Sequence, residues 1–363
     1  MDKRQLWIYW QILFPGAGPR IWQLIKYFGS VEQAWQAGES DLGAIPWLGP
    51  KGAQKLVRRR ESIQFDRVIN YLNDIGCSVI TIEDDDYPTL LKDIYDPPPA
   101  LFVRGKLPNH ERTAVAVVGS RKPSPYGLAA AEDIATELAR SDIVIISGMA
   151  RGIDTAAHRG ALKGKGTTVA VLGCGPDVVY PKENARLMDK IIEQGAVISE
   201  FPPGMAPLAW HFPARNRIIS GLSQAVLVVE AAEKSGALIT ADFALEQGRD
   251  VLAIPGNITS PNSVGTNKLI RQGARLVTKA EDILEELGLG TLYLNQISSS
   301  PDFNFTAGER DLWEVLSYQP MSLEQLVEAS KLSPQDTAAA ITMLEIKGLV
   351  RLLPGKVYVK AKL

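Results

Sequence analysis

Ala114-Val115-Ala116-Val117-Val118 runs straight into Gly119-Ser120-Arg121-Lys122. Five apolar residues without a polar break read as a strand buried on both faces, and the glycine after them as a tight turn. The unit recurs. Apolar runs at 143–147, 168–172, 196–199, 225–229, 251–254 and 275–277 are separated by helical stretches such as 128–139 and 239–247. Strand, helix and strand repeated in this way require right-handed crossovers and predict an open, doubly wound parallel sheet, an α/β fold. Such a sheet places everything that follows its strands on one rim.

Those following residues are small, polar or basic. Strand two leads into Ser147-Gly148-Met149-Ala150-Arg151-Gly152, and strand three into Gly173-Cys174-Gly175 and then Tyr180-Pro181-Lys182. Strand four leads into Ser199-Glu200-Phe201 and then His211-Phe212-Pro213-Ala214-Arg215-Asn216-Arg217. Glycine lets a ligand approach the backbone, while serine and helix N-termini donate hydrogen bonds to phosphate oxygens. Arg121, Arg151, Lys182, Arg215 and Arg217 add positive charge, so the rim is expected to hold an anion. Arg217 reads equally as half of a structural ion pair. No G-x-x-x-x-G-K-[ST] loop and no G-x-G-x-x-G after the first strand is present, which disfavours P-loop hydrolysis and ordinary NAD binding. His158 has no acidic partner at a suitable spacing, and no nucleophile with a base stands out. Phe201, Trp210 and Phe212 lie beside the cations, a combination suited to single-stranded nucleic acid, whose bases stack while its backbone is neutralised. All three could instead close the sheet edge, and for Trp210 that is the preferred reading.

The chain has 363 residues, with 39 Lys and Arg against 41 Asp and Glu, a net charge of −2. That length calls for more than one core. The balance excludes a polybasic coat but not a local basic groove. Two cysteines and three scattered histidines argue against a thiolate metal site or a disulfide scaffold, and neither metal nor cofactor is expected. No apolar run is long enough to span a membrane and Met1–Trp7 lacks a leader pattern, so a soluble, cytoplasmic protein is expected.

Residues 1–83 read as a helical domain with an internal echo. Pro15-Gly16-Ala17-Gly18-Pro19-Arg20 and Pro46-Trp47-Leu48-Gly49-Pro50-Lys51 each precede an apolar helix. The echo is similar to paired helix-hairpin-helix units, whose turns can meet a DNA phosphate; a plain helical bundle is the alternative. Residues 84–290 form the sheet domain, entered through a Pro-rich bridge and an edge strand at 101–105. A Ser-rich linker covers 291–305. Residues 306–363 read as three short helices and a hairpin closed by Pro354-Gly355, a winged helix with few cations on the helix that starts at Ser333-Pro334. Protein docking and weak DNA binding are both open to it.

With these residues in view, the chain resembles the DNA-processing protein A family, DprA, also called Smf. The resemblance rests on Val118-Gly119-Ser120-Arg121, on 147–154, on Phe212-Pro213-Ala214-Arg215-Asn216-Arg217 and the residues to 223, on Val229-Glu230-Ala231, on 235–240, on Ile254-Pro255-Gly256 and on 265–270. It implies a Rossmann-like sheet flanked by a small N-terminal helical domain and a C-terminal winged helix. It also implies a non-enzymatic protein of natural transformation that binds incoming single-stranded DNA, protects it and loads the RecA recombinase. Carried over by motif, the DNA site comprises Gly119, Ser120, Arg121, Ser147, Gly148, Arg151, Gly152, Lys182, Phe212, Arg215, Asn216 and Arg217. A homodimer or RecA contact falls around Leu269 and Ile270. The competing reading is a nucleotide-binding enzyme of the phosphoribohydrolase type. Those enzymes carry a Gly-Gly-x-Gly-Thr loop and a following glutamate, where this chain has Ser235-Gly236-Ala237-Leu238-Ile239-Thr240.

Overall fold

The computed structural model describes residues 2–290, 305–316, 321–353 and 357–360, arranged in two compact units, Met1–Tyr293 and Leu294–Leu363. The first unit is built on a nine-stranded sheet. Its strands are β1 (Cys77–Thr81), β2 (Ala100–Gly105), β3 (Ala114–Val118), β4 (Val144–Ser147), β5 (Thr168–Val171), β6 (Ala196–Ser199), β7 (Ala225–Val228), β8 (Asp250–Ala253) and β9 (Arg275–Leu276). They lie in the order β1-β2-β6-β5-β4-β3-β7-β8-β9. From β6 to β9 every pairing is parallel. The chain moves outward from β3 to β6, then returns to the other side of β3 with β7, so the strand order reverses between β3 and β7. Ligands bind outside the carboxyl ends of strands at such a reversal.

Side-chain alternation assigns the two faces of the sheet. Val115 and Val117 pack with Ile145 and with Ala131, Ile134 and Leu138 of helix Pro125–Arg140. Ala116 and Val118 point the other way, with Val144 and Ile146, into a cluster that continues to Trp10, Leu13, Ile21 and Leu24. The N-terminal helices Lys3–Leu13 and Gly18–Phe28 therefore share a core with the sheet.

Two expectations change here. Residues 77–81 lie in the segment expected to be helical, yet they form β1, antiparallel to β2 with Val79 opposite Phe102. Gly76, at φ +62°, turns the chain out of helix Phe65–Asp74 into an alternating strand whose Cys77, Val79 and Thr81 face inward. Because β1 covers it, β2 is not the expected edge strand; it pairs with β6 on its other side, with Phe102 opposite Ser199.

The second unit has helices Ala307–Val315, Leu323–Ser330 and Pro334–Ile346 around Leu312, Leu326, Ile341 and Leu344. Ser322 and Ser333 cap the latter two helices, accepting hydrogen bonds from the backbone N–H groups of Gln325 and Asp336. Its sheet holds β10 (Met321–Ser322), β11 (Val350–Leu353) and β12 (Val357–Lys360), with β12 in the middle, one strand more than the expected hairpin. Ion-paired Lys347 and Glu309 (2.8 Å) tie the end of the last helix to the first. The expected linker up to residue 304 and the Pro354-Gly355 turn lie outside the described residues.

Candidate nucleic-acid interface

The loops after β3, β4 and β7 interlock. The Ser120 N–H donates to the Glu230 carbonyl (2.7 Å), and the Ile153 N–H donates to the Ser120 carbonyl (3.2 Å). Gly152 sits at φ +79°, and a Cβ there would lie 2.4 Å from the Ser120 oxygen, so both backbone and space require glycine. Below this junction, the Ser124 hydroxyl and N–H both donate to the Glu230 carboxylate, which fixes the start of helix Pro125–Arg140.

Above the junction an open cleft of about 770 Å³ follows the rim at the β3–β7 reversal. Gly119, Ser120, Arg121, Lys122, Phe212 and Arg215 are among its lining residues, with Asn216 and Ser235 further along. The exposed Arg121 guanidinium lies 5.2 Å from the centre of the Phe212 ring. Tyr180 continues the row, its ring 5.4 Å from Phe212. This is a cation and two aromatic faces in sequence at the mouth of a groove, a geometry that can neutralise a phosphate and stack a base at neighbouring points. Arg121, Gly148, Arg151, Tyr180 and Phe212 also line a smaller adjoining recess.

The candidates named from sequence thus divide. Gly119, Ser120, Arg121, Phe212, Arg215 and Asn216 come together on the cleft, and Gly148 and Arg151 beside it. Arg215 is only 3% exposed; it donates to the carbonyls of Gly148 and Val171. Burial pushes its guanidinium down to about 10, opposed by the nearby Asp154 carboxylate, so it stays charged at neutral pH. A Cβ at Gly148 would meet that guanidinium at 2.6 Å, so this glycine makes room for Arg215. Arg151 is exposed and donates to Glu183, also exposed. Lys182 is exposed in the short Lys182–Asn184 turn and lines neither cavity. Gly152 supports the loop junction from beneath.

Two candidates are corrected. The Ser147 hydroxyl donates to the Val117 carbonyl (2.6 Å) and is fully buried, because Ser147 is still part of β4. Arg217 is inside the molecule, held by both oxygens of Glu200 (2.7 and 2.8 Å) and by Asp96 (2.9 Å). The alternative reading of Arg217 as a structural ion-pair residue is the one the geometry supports. Burial pulls its guanidinium down, but Glu200 and Asp96 outweigh this and hold it above its ordinary value. The triad joins the Pro-rich bridge to the sheet, and the Gln11 amide adds an N-terminal contact by donating to the Glu200 carbonyl. Phe201 is fully buried and stacks on His211 (4.0 Å), so it cannot receive a base. Trp210 remains 56% exposed. Leu269 is buried and Ile270 packs on the same core from helix Val264–Arg271.

Lys122, Asp154, Tyr180 and Ser235 also line the cleft, beyond the candidates that sequence reasoning supplies. Lys122 and Tyr180 are detectable as a cation and an aromatic at strand tips. Asp154 is largely buried at the head of helix Ile153–Lys163 and accepts from the Ala150 N–H (3.2 Å); burial raises its carboxyl, and Arg215 opposes that.

Among the described residues, neither Cys174 nor His158 has the setting of an activated nucleophile or base. Burial pushes the Cys174 thiol up to about 12. His158 is fully buried with Nδ1 2.7 Å from the Thr168 hydroxyl, and burial pushes it down to about 3. Its folded value lies below the unfolded one of about 6.5, so the unfolded chain takes up the proton first. Stability from this group is therefore complete above pH 6.5 and drains as pH falls toward 3. Between pH 7 and pH 5 the loss is about 2 kcal/mol. In urea unfolding the wild-type chain should lose about 2 kcal/mol more than His158→Gln between the two pH values, any loss common to both coming from other groups such as the buried His211.

The family model described as DNA recombination-mediator protein A matches residues 78–288. The chain belongs to the DprA (Smf) family. The DprA winged-helix model matches residues 298–356. Protein Smf of Synechocystis is 34% identical over 98% of both chains, and DNA processing protein DprA of Bacillus subtilis is 45% identical over 61% of this chain and 75% of its own. Among solved structures, DprA of Streptococcus pneumoniae superposes with a TM-score of 0.67 at 41% identity, covering 77% of this chain and 97% of its own. DprA of Helicobacter pylori, described for its single-stranded DNA binding mode, gives 0.52 at 30% identity, covering 58% and 95%.

Proposed function

We propose that the cleft at the β3–β7 reversal binds single-stranded DNA without regard to sequence and without cutting it. The observation that carries this is the Arg121-Phe212-Tyr180 row along an open groove. A duplex hides its base faces, whereas a single strand can lay them on Phe212 and Tyr180 while Arg121 and Lys122 meet its phosphates. The single-strand binding described for the Helicobacter relative supports the same reading. The family's recombination-mediator description supports a further step: the bound strand, shielded from nucleases, is handed to the RecA recombinase in natural transformation. A homodimer would double the strand contacts. Leu269 is buried and Ile270 half-buried, so a contact through their helix would use Ile270 together with exposed Val264, Lys268 and Arg271.

The test is fluorescence anisotropy with labelled single strands of several sequences at increasing salt. Affinity should be the same for each sequence and fall steeply, by a log–log slope of about −0.7 for every phosphate neutralised. Turnover of a nucleoside monophosphate to free base, with oligonucleotides ignored, would replace this reading with the phosphoribohydrolase one. RecA filament growth on protein-coated strands and light scattering at micromolar concentration test the transfer and the dimer.

A further inference from the structure

Residues 1–77 fall outside both family models, so the family's description leaves their role open. The two echoing hairpins of this segment have different surroundings. The first is spent on packing. A Cβ on Gly16 would lie 2.6 Å from the Phe201 ring, and one on Gly18 would lie 3.5 Å from Arg217. The second is open: Gly49, at φ +62°, has nothing within 4 Å of where a Cβ would be.

Helix Gly49–Ser62 follows that second hairpin, and residues 49–60 contain Lys51, Lys55, Arg58, Arg59 and Arg60 with no acid. Ala53 and Leu56 bury the inner face. Arg60 reaches back to the carbonyls of Trp35 and Ala37, and Arg59 to that of Leu13. Lys51, Lys55 and Arg58 are left exposed. At 100° per residue they fall within about 60° of arc and span about 10 Å of helix. Among the described residues no carboxylate pairs with them. The acids on neighbouring segments are Glu39 and Asp41 ahead of the hairpin and Glu61 and Asp66 beyond the stripe. In a chain of net charge −2, an unpaired row of this kind marks a polyanion surface.

We infer that Lys51, Lys55 and Arg58 form a second nucleic-acid surface, separate from the cleft, that holds the phosphate backbone of duplex DNA. The choice of duplex follows from what the row lacks. The exposed side chains along this helix face are Lys51, Gln54, Lys55, Arg58 and Ser62, with no aromatic face among them to receive an unstacked base. Contacts of this type read only phosphates, which a duplex presents at high density, one charge per about 1.7 Å of axis. The protein could then grip a single strand in the cleft and an adjoining duplex on this helix.

The experiment compares the full-length wild type, the triple variant Lys51→Ala/Lys55→Ala/Arg58→Ala and Arg121→Ala, on blunt duplex and single-stranded oligonucleotides. All four positions are exposed, and matching melting curves establish that the variants are folded. The triple variant should bind duplex at least tenfold more weakly, with a salt slope reduced by about 2 to 3, since each phosphate left without its cation removes about 0.9. Its single-strand affinity should move less than twofold. Arg121→Ala should show the reverse pattern. Duplex binding that is absent in the wild type, unchanged in the triple variant, or abolished together with single-strand binding would overturn the assignment. Failure of Arg121→Ala alone would strike the cleft reading and leave this one standing.

Discussion

Arg217→Ala should unfold the chain far more easily than it weakens DNA binding. Arg217 is 4% exposed, and its removal leaves the fully buried Glu200 carboxylate with no cation. Breaking a buried ion pair from one side costs about 3–5 kcal/mol, because the remaining charge has neither water nor partner. For a unit of this size each kcal/mol lowers the midpoint by about 2–4 °C, so a fall of about 10 °C is expected in thermal melting. Arg217→Met combined with Glu200→Gln should recover part of the loss, since it removes the stranded charge with its partner. The folded fraction of Arg217→Ala should bind single strands as the wild type does. A variant of unchanged stability that binds tenfold more weakly would mean that Arg217 reaches the DNA after all.

Why sequence alone puts Arg217 on the rim is instructive. Residues 211–217 follow a strand, and as a loop they would leave every cation free to turn toward a ligand. They are instead the start of helix His211–Gly221. On a helix, positions two apart point about 200° away from each other, so Arg215 and Arg217 cannot face the same groove. Arg215 faces the strand tips, and Arg217 faces Asp96 and Glu200. Ser147 is misplaced for a different reason: as the last residue of its strand it points inward, where its hydroxyl meets the Val117 carbonyl. Buried parallel strands are legible because they are near-continuous apolar runs, and those at 114–118, 143–147 and 168–172 are each followed directly by glycine. β1 is not, because its five residues alternate and follow a helix with only Ile75 and Gly76 between them.

The site is legible as a collection and not as a contact. Sequence gathers Arg121, Tyr180 and Phe212 on one rim, since each follows a strand of the same parallel sheet. It says nothing about their order there, which depends on how the loops after β3, β5 and β6 lean on one another. Gly173 shows the degree of fit: a Cβ on it would lie 2.9 Å from the Phe212 ring, so that ring is seated against the β5 loop and presents one side to Arg121. The N-terminal helices add to the frame. Gly16 packs on Phe201, which stacks on His211 immediately before Phe212, so a segment outside the family's main domain helps hold the aromatic row.

Arg121→Ala is expected to lower single-strand affinity at low salt by about tenfold to a hundredfold, on the scale of one phosphate contact and part of one stacked base. The guanidinium is exposed and has no ion-pair partner among the described residues, so stability should not change. The salt slope should shrink by about 0.7, the value for one phosphate on a single strand. Phe212→Ala should behave differently, weakening binding by a similar factor with the slope intact, because stacking releases no counterions. The double variant should fall short of the product of the single effects, since Arg121 is held by the ring it covers and the two are coupled through that contact. Effects that multiply independently would mean that cation and ring do not act as one unit. The groove would then grip its strand at separate points, and the row ending at Tyr180 would have no special standing within it.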